Sequence, residues 1–170
     1  MLDRLRRILR HRWLDESDVG RAIPPDLLER LTRRVAASEK RHSGEVRIYV
    51  EAGLPTSYLW RDAAPRERAV ALFGKLGVWD TEANNGVLIY LLLAEHAIEI
   101  VADRGLTRHV PPDEWQAVVA HMGETFRAGR FEEGLTRALE EVSALLVRHF
   151  PVQDREAGNP NELPDHPVLG

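Results

Sequence analysis

Hydrophobic and polar positions change their spacing several times along the chain, and each change predicts a new element. Residues 45–52 alternate between apolar and polar side chains, which is typical of a β-strand. Residues 87–94 are almost continuously apolar, as expected of a strand covered on both faces. Residues 97–102 alternate again, and the short turn at 95–96 predicts a hairpin with the preceding strand.

Apolar residues at helical spacing predict the remaining elements. Prolines begin three of these segments, because proline is well tolerated in the first turn of a helix. Glycines follow several of the segments, where a helix ends readily. The predicted helices cover residues 1–14, 24–41, 65–76, 111–126 and 131–150.

The order of these elements constrains the topology. A helix joins the first strand to the second, so these two strands should be parallel with a right-handed crossover. The third strand should be antiparallel to the second, because only a short turn joins them. An α/β fold with a small mixed sheet and helices on both faces follows.

This topology brings oxygen-bearing side chains to one edge of the sheet. The starts of the first and second strands and the end of the third strand share that edge. It therefore gathers Glu45, the loop 80–86 with Asp80 and Asn85, and Asp103. Carboxylate, amide and backbone oxygens are the ligands that Ca²⁺ prefers, so the edge predicts a divalent-cation site, most naturally for calcium.

Local structural roles for the same residues compete with this hypothesis. Asp80 and Asn85 could cap or stabilise a turn by bonding nearby backbone groups. Asp103 could pair with a neighbouring arginine, and Glu45 could be a solvated residue at the end of a strand. The sequence leaves both interpretations open.

The amino-acid composition excludes several kinds of functional site. The chain has 170 residues, a formal charge of -4 and no cysteine, which excludes disulfides, thiolate metal sites and cysteine nucleophiles. The acidic balance argues against nucleic acid as the main partner, because phosphate binding favours a basic face. The seven histidines show no spacing typical of a zinc site.

The two ends of the chain differ in character from its middle. Residues 1–20 form a basic amphipathic segment, residues 21–150 a globular domain, and residues 151–170 a proline-rich tail predicted to be disordered or to lie on a neighbour. The helix within residues 1–14 could pack on its own domain or a subunit, or lie on a membrane surface or an acidic partner. With no signal peptide or spanning segment recognised, a cytoplasmic location is expected.

Several ordered blocks resemble a known family. The chain is similar to the TPM domain, named after a thylakoid lumen protein, a photosystem II repair protein and a nematode receptor modulator, over about residues 24–150. Its short cytoplasmic bacterial members look closest. The blocks are Ser43–Ile48, Ala71–Phe73 with Val78–Trp79, Asn84–Ile89, Ile98–Leu106 and Phe126–Leu135.

The resemblance implies a three-layer α/β/α sandwich with a small mixed central sheet. It also implies calcium or another divalent cation at a surface site, for which Glu45, Asp80, Asn85 and Asp103 are the matching positions. Some plant members are described as acid phosphatases, so a metal-assisted phosphomonoester hydrolase is an alternative to a binding module with a regulatory or assembly role. No nucleophile is evident in the sequence, and a non-enzymatic role is the first expectation.

Overall fold

A computed structural model of the protein describes residues 2–152 and 161–170. The helices are α1 (Leu2–Trp13), α2 (Glu16–Ala22), α3 (Pro25–Glu39), α4 (Thr56–Trp60), α5 (Pro65–Lys75), α6 (Arg104–Thr107), α7 (Pro112–Arg127) and α8 (Phe131–His149). The strands are β1 (Val46–Glu51), β2 (Val87–Leu92), β3 (Ala97–Ala102) and β4 (Val168–Leu169).

The central sheet has the order β3-β2-β1-β4. Strand β1 is parallel to β2, and β2 is antiparallel to β3, which confirms the predicted pairing. Strand β4 pairs in parallel with the outer edge of β1, so the sheet has one more strand than the sequence predicts.

Alternation along the strands gives the sheet two different faces. One face, called the apolar face below, carries Val46, Ile48, Val50, Val87, Ile89, Leu91, Ile98 and Ile100, all within one buried cluster. The other, called the polar face below, carries Arg47, Tyr49, Glu51, Leu88, Tyr90, Leu92, Glu99 and Val101.

Helices cover both faces and complete three layers. Residues of α3, α7 and α8 share the buried cluster of the apolar face. Residues of α4 and α5 share the second buried cluster with Leu88, Tyr90 and Leu92 of β2. The three-layer α/β/α sandwich with a small mixed sheet is therefore confirmed.

Local structure departs from the predictions in three places. Residues 16–22, expected to be a polar connection, form α2, which begins at a capping box in which Asp15 accepts from the Ser17 amide. Residues 56–60, expected to be loop, form α4. The turn between β2 and β3 is a short 3₁₀ helix that ends at His96 in the left-handed region, with φ of 48°.

Residues 161–170, part of the segment predicted to be disordered or to lie on a neighbour, pack on the domain itself. Leu163 is buried, and Val168–Leu169 form β4. The rest of the proline-rich segment, 153–160, lies outside the described residues. At the other end, α2 contributes buried Val19 to the main core. Within the described residues, no helix is both long and apolar enough to cross a membrane.

Candidate functional site

The predicted edge exists, and two of its carboxylates lie in one row across the sheet. Val46 of β1 is level with Val87 of β2, which is level with Ala102 of β3. One residue further towards the edge, the Val87 amide donates to the Glu45 carbonyl at 2.8 Å and the Asp103 amide donates to the Gly86 carbonyl at 2.9 Å.

Glycines at 86 and 105 allow the loop before β2 to lie tightly against this edge. A Cβ atom at Gly86 would overlap the Val78 carbonyl oxygen, and one at Gly105 would overlap the Asn84 carbonyl oxygen. The Gly105 amide donates to that Asn84 carbonyl at 2.8 Å. The loop 80–86 and the turn after β3 are therefore bound to each other through their backbones.

Glu45 is fully buried, with 0% of its surface exposed, and is not the solvated strand-end residue of the alternative interpretation. Its Oε2 accepts a hydrogen bond from the Leu163 amide at 3.0 Å. Its Oε1 is buried and has no hydrogen-bond partner among the described residues. Burial raises the pKa of Glu45, although the hydrogen bond from Leu163 opposes this change.

Asn85 is also 0% exposed and is held by its neighbours on both sides. Its backbone amide donates to Oγ1 of Thr81 at 3.1 Å, and its Nδ2 donates to Oγ of Ser43 at 3.2 Å. Its Oδ1 is buried without a partner in the described part of the chain. Exchanging the two amide atoms would leave the Nδ2 group in that position, so one polar atom stays unpaired in either orientation.

Asp103 is 8% exposed and begins α6. Its Oδ1 accepts the Arg104 amide at 2.6 Å, whereas its Oδ2 is buried and unpaired within residues 2–152 and 161–170. No ion pair to an arginine is formed by Asp103 in those ranges. The capping role is thus real, but it uses only one of the two carboxylate oxygens.

Asp80 differs from these three residues because it is exposed to solvent. Its side chain is exposed, and its backbone amide donates to the Gly77 carbonyl at 2.9 Å. Asn84, next to the buried Asn85, adopts a left-handed conformation with φ of 51°, which matches a turn role. The structure therefore brings Glu45, Asn85 and Asp103 to one edge as buried residues and leaves Asp80 on the solvent side of that edge.

Acidic residues from other segments surround Glu45, and sequence reasoning did not find them. Glu39, at the end of α3, accepts a hydrogen bond from the Val46 amide at 2.9 Å. Burial raises the pKa of Glu39 to about 8, and the nearby charges of Glu45 and Asp165 add to the increase. Arg47 is the buried cation of this edge, and it donates to the Pro164 carbonyl.

The C-terminal residues close over the same edge. The Glu82 amide donates to the Glu162 carboxylate at 3.0 Å, so the tail contacts the loop 80–86 directly. Arg47 also donates to the His166 carbonyl at 3.1 Å. The sequence signal for this arrangement is small, because only Leu163 and the pair 168–169 are apolar in a polar, proline-rich segment.

The polar side chains of Glu45, Asn85 and Asp103 present oxygen atoms at this edge, the atoms that hard cations prefer. In the described ranges, no group of three or more His, Asp or Glu side chains is close enough to hold a metal ion. A cation at this edge would therefore need amide or backbone oxygens and water as well as carboxylates, a mixture that Ca²⁺ accepts.

Comparisons with known proteins agree with the fold. A family model described as the TPM domain matches residues 17–145. No protein with curated annotation matches the sequence.

Solved structures of the same architecture exist. The BA42 protein of the psychrophilic bacterium Bizionia argentinensis has 25% sequence identity and a TM-score of 0.74, and the match covers 87% of this chain and 95% of that one. An N-terminal domain of a P. gingivalis protein has 18% identity and a TM-score of 0.61, over 83% of this chain and 95% of that one. The second match, at its low identity, supports the fold alone.

Proposed function

The chain belongs to the TPM domain family, and we propose that it binds a divalent cation, most naturally Ca²⁺, at the edge formed by Glu45, Asn85 and Asp103. Asp80, exposed on the adjoining loop, is the fourth residue of the proposed site. In this proposal the domain is a binding module, and the cation stabilises the arrangement of its loops.

The observation that carries the proposal is a set of buried oxygens without donors. Glu45 Oε1, Asn85 Oδ1 and Asp103 Oδ2 are all buried and unpaired among the described residues. An unsatisfied buried polar atom costs about 1–3 kcal/mol, and more when it is charged. Three such oxygens at the ends of three adjacent strands fit a positively charged ligand that prefers oxygen.

Carboxylates supply only part of the ligand set. Glu45 and Asp103 each offer one oxygen, because the Leu163 and Arg104 amides already occupy the other. The Asn85 amide adds a third, and Asp80 has an exposed carboxylate that can act through water. This mixture favours Ca²⁺ over Mg²⁺, since Mg²⁺ demands regular octahedral geometry.

Proton competition follows from the burial of Glu45. A carboxyl group with a raised pKa holds its proton to a higher pH, and a cation must displace that proton. Affinity for Ca²⁺ should therefore increase with pH, and binding should release protons.

Calorimetric titration of the full chain with Ca²⁺, Mg²⁺ and Mn²⁺ tests the proposal. We expect Asp103→Asn and Glu45→Gln to weaken binding about tenfold or more, as loss of a metal-site contact typically does. The matched control is Asp113→Asn, an exposed residue at the start of α7. Absence of binding for all three cations, or equal affinity of Asp103→Asn and the unmodified chain, would contradict the proposal.

Hydrolysis of a phosphate ester is the second candidate, and it requires a reacting group near the cation. The two carboxylates in the row are 0% and 8% exposed, so the geometry favours binding over catalysis. Turnover of p-nitrophenyl phosphate that depends on Ca²⁺ and disappears in Asp103→Asn would favour the hydrolase. Equal background rates for both proteins would reject it.

A further inference from the structure

The N-terminal helix α1 is docked on the domain by its charged side. Nε of Arg7 donates to Glu95 at 2.7 Å, and its Nη2 donates to the Ala63 carbonyl at 2.6 Å. Nη1 of Arg7 donates to Asp62 at 2.7 Å. One arginine therefore fixes the helix to two separate loops of the domain.

His11 makes the second attachment and is buried. The Leu54 amide donates to Nδ1 of His11 at 2.9 Å, so Nε2 carries the proton and donates to Glu95 at 2.9 Å. A Cβ atom at Gly53 would come within 2.7 Å of the His11 carbonyl oxygen, so the glycine permits this close approach. Burial acts to raise the pKa of Glu95, but the hydrogen bonds from His11 and Arg7 together with their charges outweigh it and keep that pKa below its usual value.

The opposite side of α1 is apolar and faces solvent. Leu2, Leu5, Leu9 and Trp13 are 73%, 52%, 55% and 85% exposed. At 100° per residue these four positions fall within ~80° of one another around the helix. An amphipathic helix normally buries its apolar side, whereas α1 packs only Ile8 on the domain and leaves its other apolar side chains in solvent. These four residues are called the exposed stripe below.

Arginines border the exposed stripe on both sides. Arg6 and Arg10 flank it on one side and Arg12 on the other, and all three are exposed. Arg10 and Arg12 have no ion-pair partner in the described ranges, and Arg6 reaches only the exposed Asp3, at 3.9 Å. The helix has five arginines and one aspartate, although the whole chain has a formal charge of -4.

We propose that α1 is a peripheral membrane-binding surface, whose exposed stripe enters the interface of an anionic bilayer while its arginines contact lipid phosphates. Leucine and tryptophan on one side and arginine beside them are the features of helices that lie in the headgroup region. Tryptophan favours that region because its ring is amphipathic. Arginine side chains can extend to the phosphates while their stems remain in apolar surroundings.

The charge of α1 favours an anionic bilayer over a second copy of the chain as the partner of the exposed stripe. In a symmetric contact between two exposed stripes, the flanking arginines of the two copies would face each other and repel. A 12-residue helix also offers too little area for a stable dimer, which typically buries about 800 Å² per partner. A negative surface attracts α1 and repels the rest of the acidic chain, so it also orients the protein.

This surface is independent of the cation proposal. Arg7 and His11 attach α1 near Leu54 and Glu95, which follow the ends of β1 and β2. Glu45 and Gly86 precede the starts of the same strands. The two surfaces therefore lie at opposite ends of the sheet, and vesicle binding should not require Ca²⁺.

Cosedimentation of the full chain with vesicles tests the proposal. We expect binding to vesicles of phosphatidylcholine with one third phosphatidylglycerol, little binding to phosphatidylcholine alone, and weaker binding at high salt because ions screen the arginines. Leu5→Glu with Leu9→Glu should reduce binding about tenfold or more. Circular dichroism should show an unchanged fold, because both side chains are exposed.

Matched substitutions distinguish vesicle binding through α1 from non-specific adsorption of the protein. Trp13→Ala should weaken vesicle binding, whereas Trp79→Ala, at another exposed tryptophan, should not. Arg10→Glu should weaken it, whereas Arg33→Glu on α3 should not. The proposal would be overturned if the two variants of each pair bound vesicles equally well, or if the unmodified chain did not bind the anionic vesicles. If the chain instead forms a dimer and does not bind vesicles, and the double variant Leu5→Glu with Leu9→Glu is a monomer, the exposed stripe serves self-association and the membrane proposal is overturned.

Discussion

The apolar and polar faces of the sheet are both buried, but different parts of the chain cover them. On the apolar face, residues of α3, α7 and α8 join one large hydrophobic cluster. On the polar face, α4, α5 and Leu163 of the C-terminal segment cover the sheet, and Ile8 of α1 packs at the margin. The polar face therefore depends on segments from both ends of the chain.

A buried ionic network marks the polar face. Arg68 of α5 donates to both oxygens of Glu51, at 2.6 and 3.0 Å, and the Tyr90 hydroxyl donates to the same carboxylate at 2.8 Å. Burial raises the pKa of Tyr90, and the charge of Glu51 adds to the increase. A polar residue in a strand can therefore be buried when another element supplies its partner, as Arg68 of α5 does for Glu51.

The largest expected effect concerns the apolar face. Ile89 is fully buried in its cluster, so Ile89→Ala should lower the free energy of unfolding by about 4 kcal/mol through lost burial and a cavity. The matched control, Ile89→Val, should cost about 1 kcal/mol. Urea unfolding monitored by circular dichroism measures both. Equal costs for the two variants would contradict tight packing on this face.

A slightly smaller loss is expected on the polar face. Arg68→Met leaves the Glu51 carboxylate buried without its cation and should cost about 3 kcal/mol. Replacing the whole network, with Glu51→Leu, Arg68→Met and Tyr90→Phe, should recover most of that loss, because no buried charge remains. The same unfolding measurement applies. If the triple variant is as unstable as Arg68→Met, the unpaired charge is not the cause.

The last expected effect is a pH dependence at the site edge of the sheet, where Glu39 accepts from the first amide of β1. The pKa of Glu39 is about 8 in the folded protein against an ordinary 4.5, so the folded state holds the extra proton between these values. Its contribution to stability is complete below pH 4.5 and is lost as pH rises through about 8. Glu39→Gln should remove this decline while still accepting from the Val46 amide.

Unfolding midpoints at pH 5 and pH 8.5 check this difference. The groups facing Glu39 are Glu45, Asp165 and Arg47, and they are the same in both proteins. His42, whose pKa burial lowers to about 4, is also common to both and cancels in the comparison. Identical slopes with pH for the unmodified chain and Glu39→Gln would contradict the assignment.

Much of the candidate site follows from the order of the elements. Once β1 and β2 are parallel and β3 returns antiparallel, Glu45, Asn85 and Asp103 must share one edge. The burial of Glu45 could not be predicted, because it depends on residues 161–170, more than 100 positions away. The exposure of Asp80 also could not be predicted from the sequence, because loop side chains have no periodicity that fixes their direction.

Local patterns in the sequence are enough to predict strands β1, β2 and β3, their pairing and the edge that gathers oxygen-bearing side chains, because periodicity and short connections are local properties of the chain. Contacts between distant segments determine the burial of Glu45, Arg47 and Glu51, the pairing of Val168–Leu169 with β1, and the docking of α1 through Arg7 and His11. Local periodicity separates the two sides of an element, but it does not specify which distant segment covers each side.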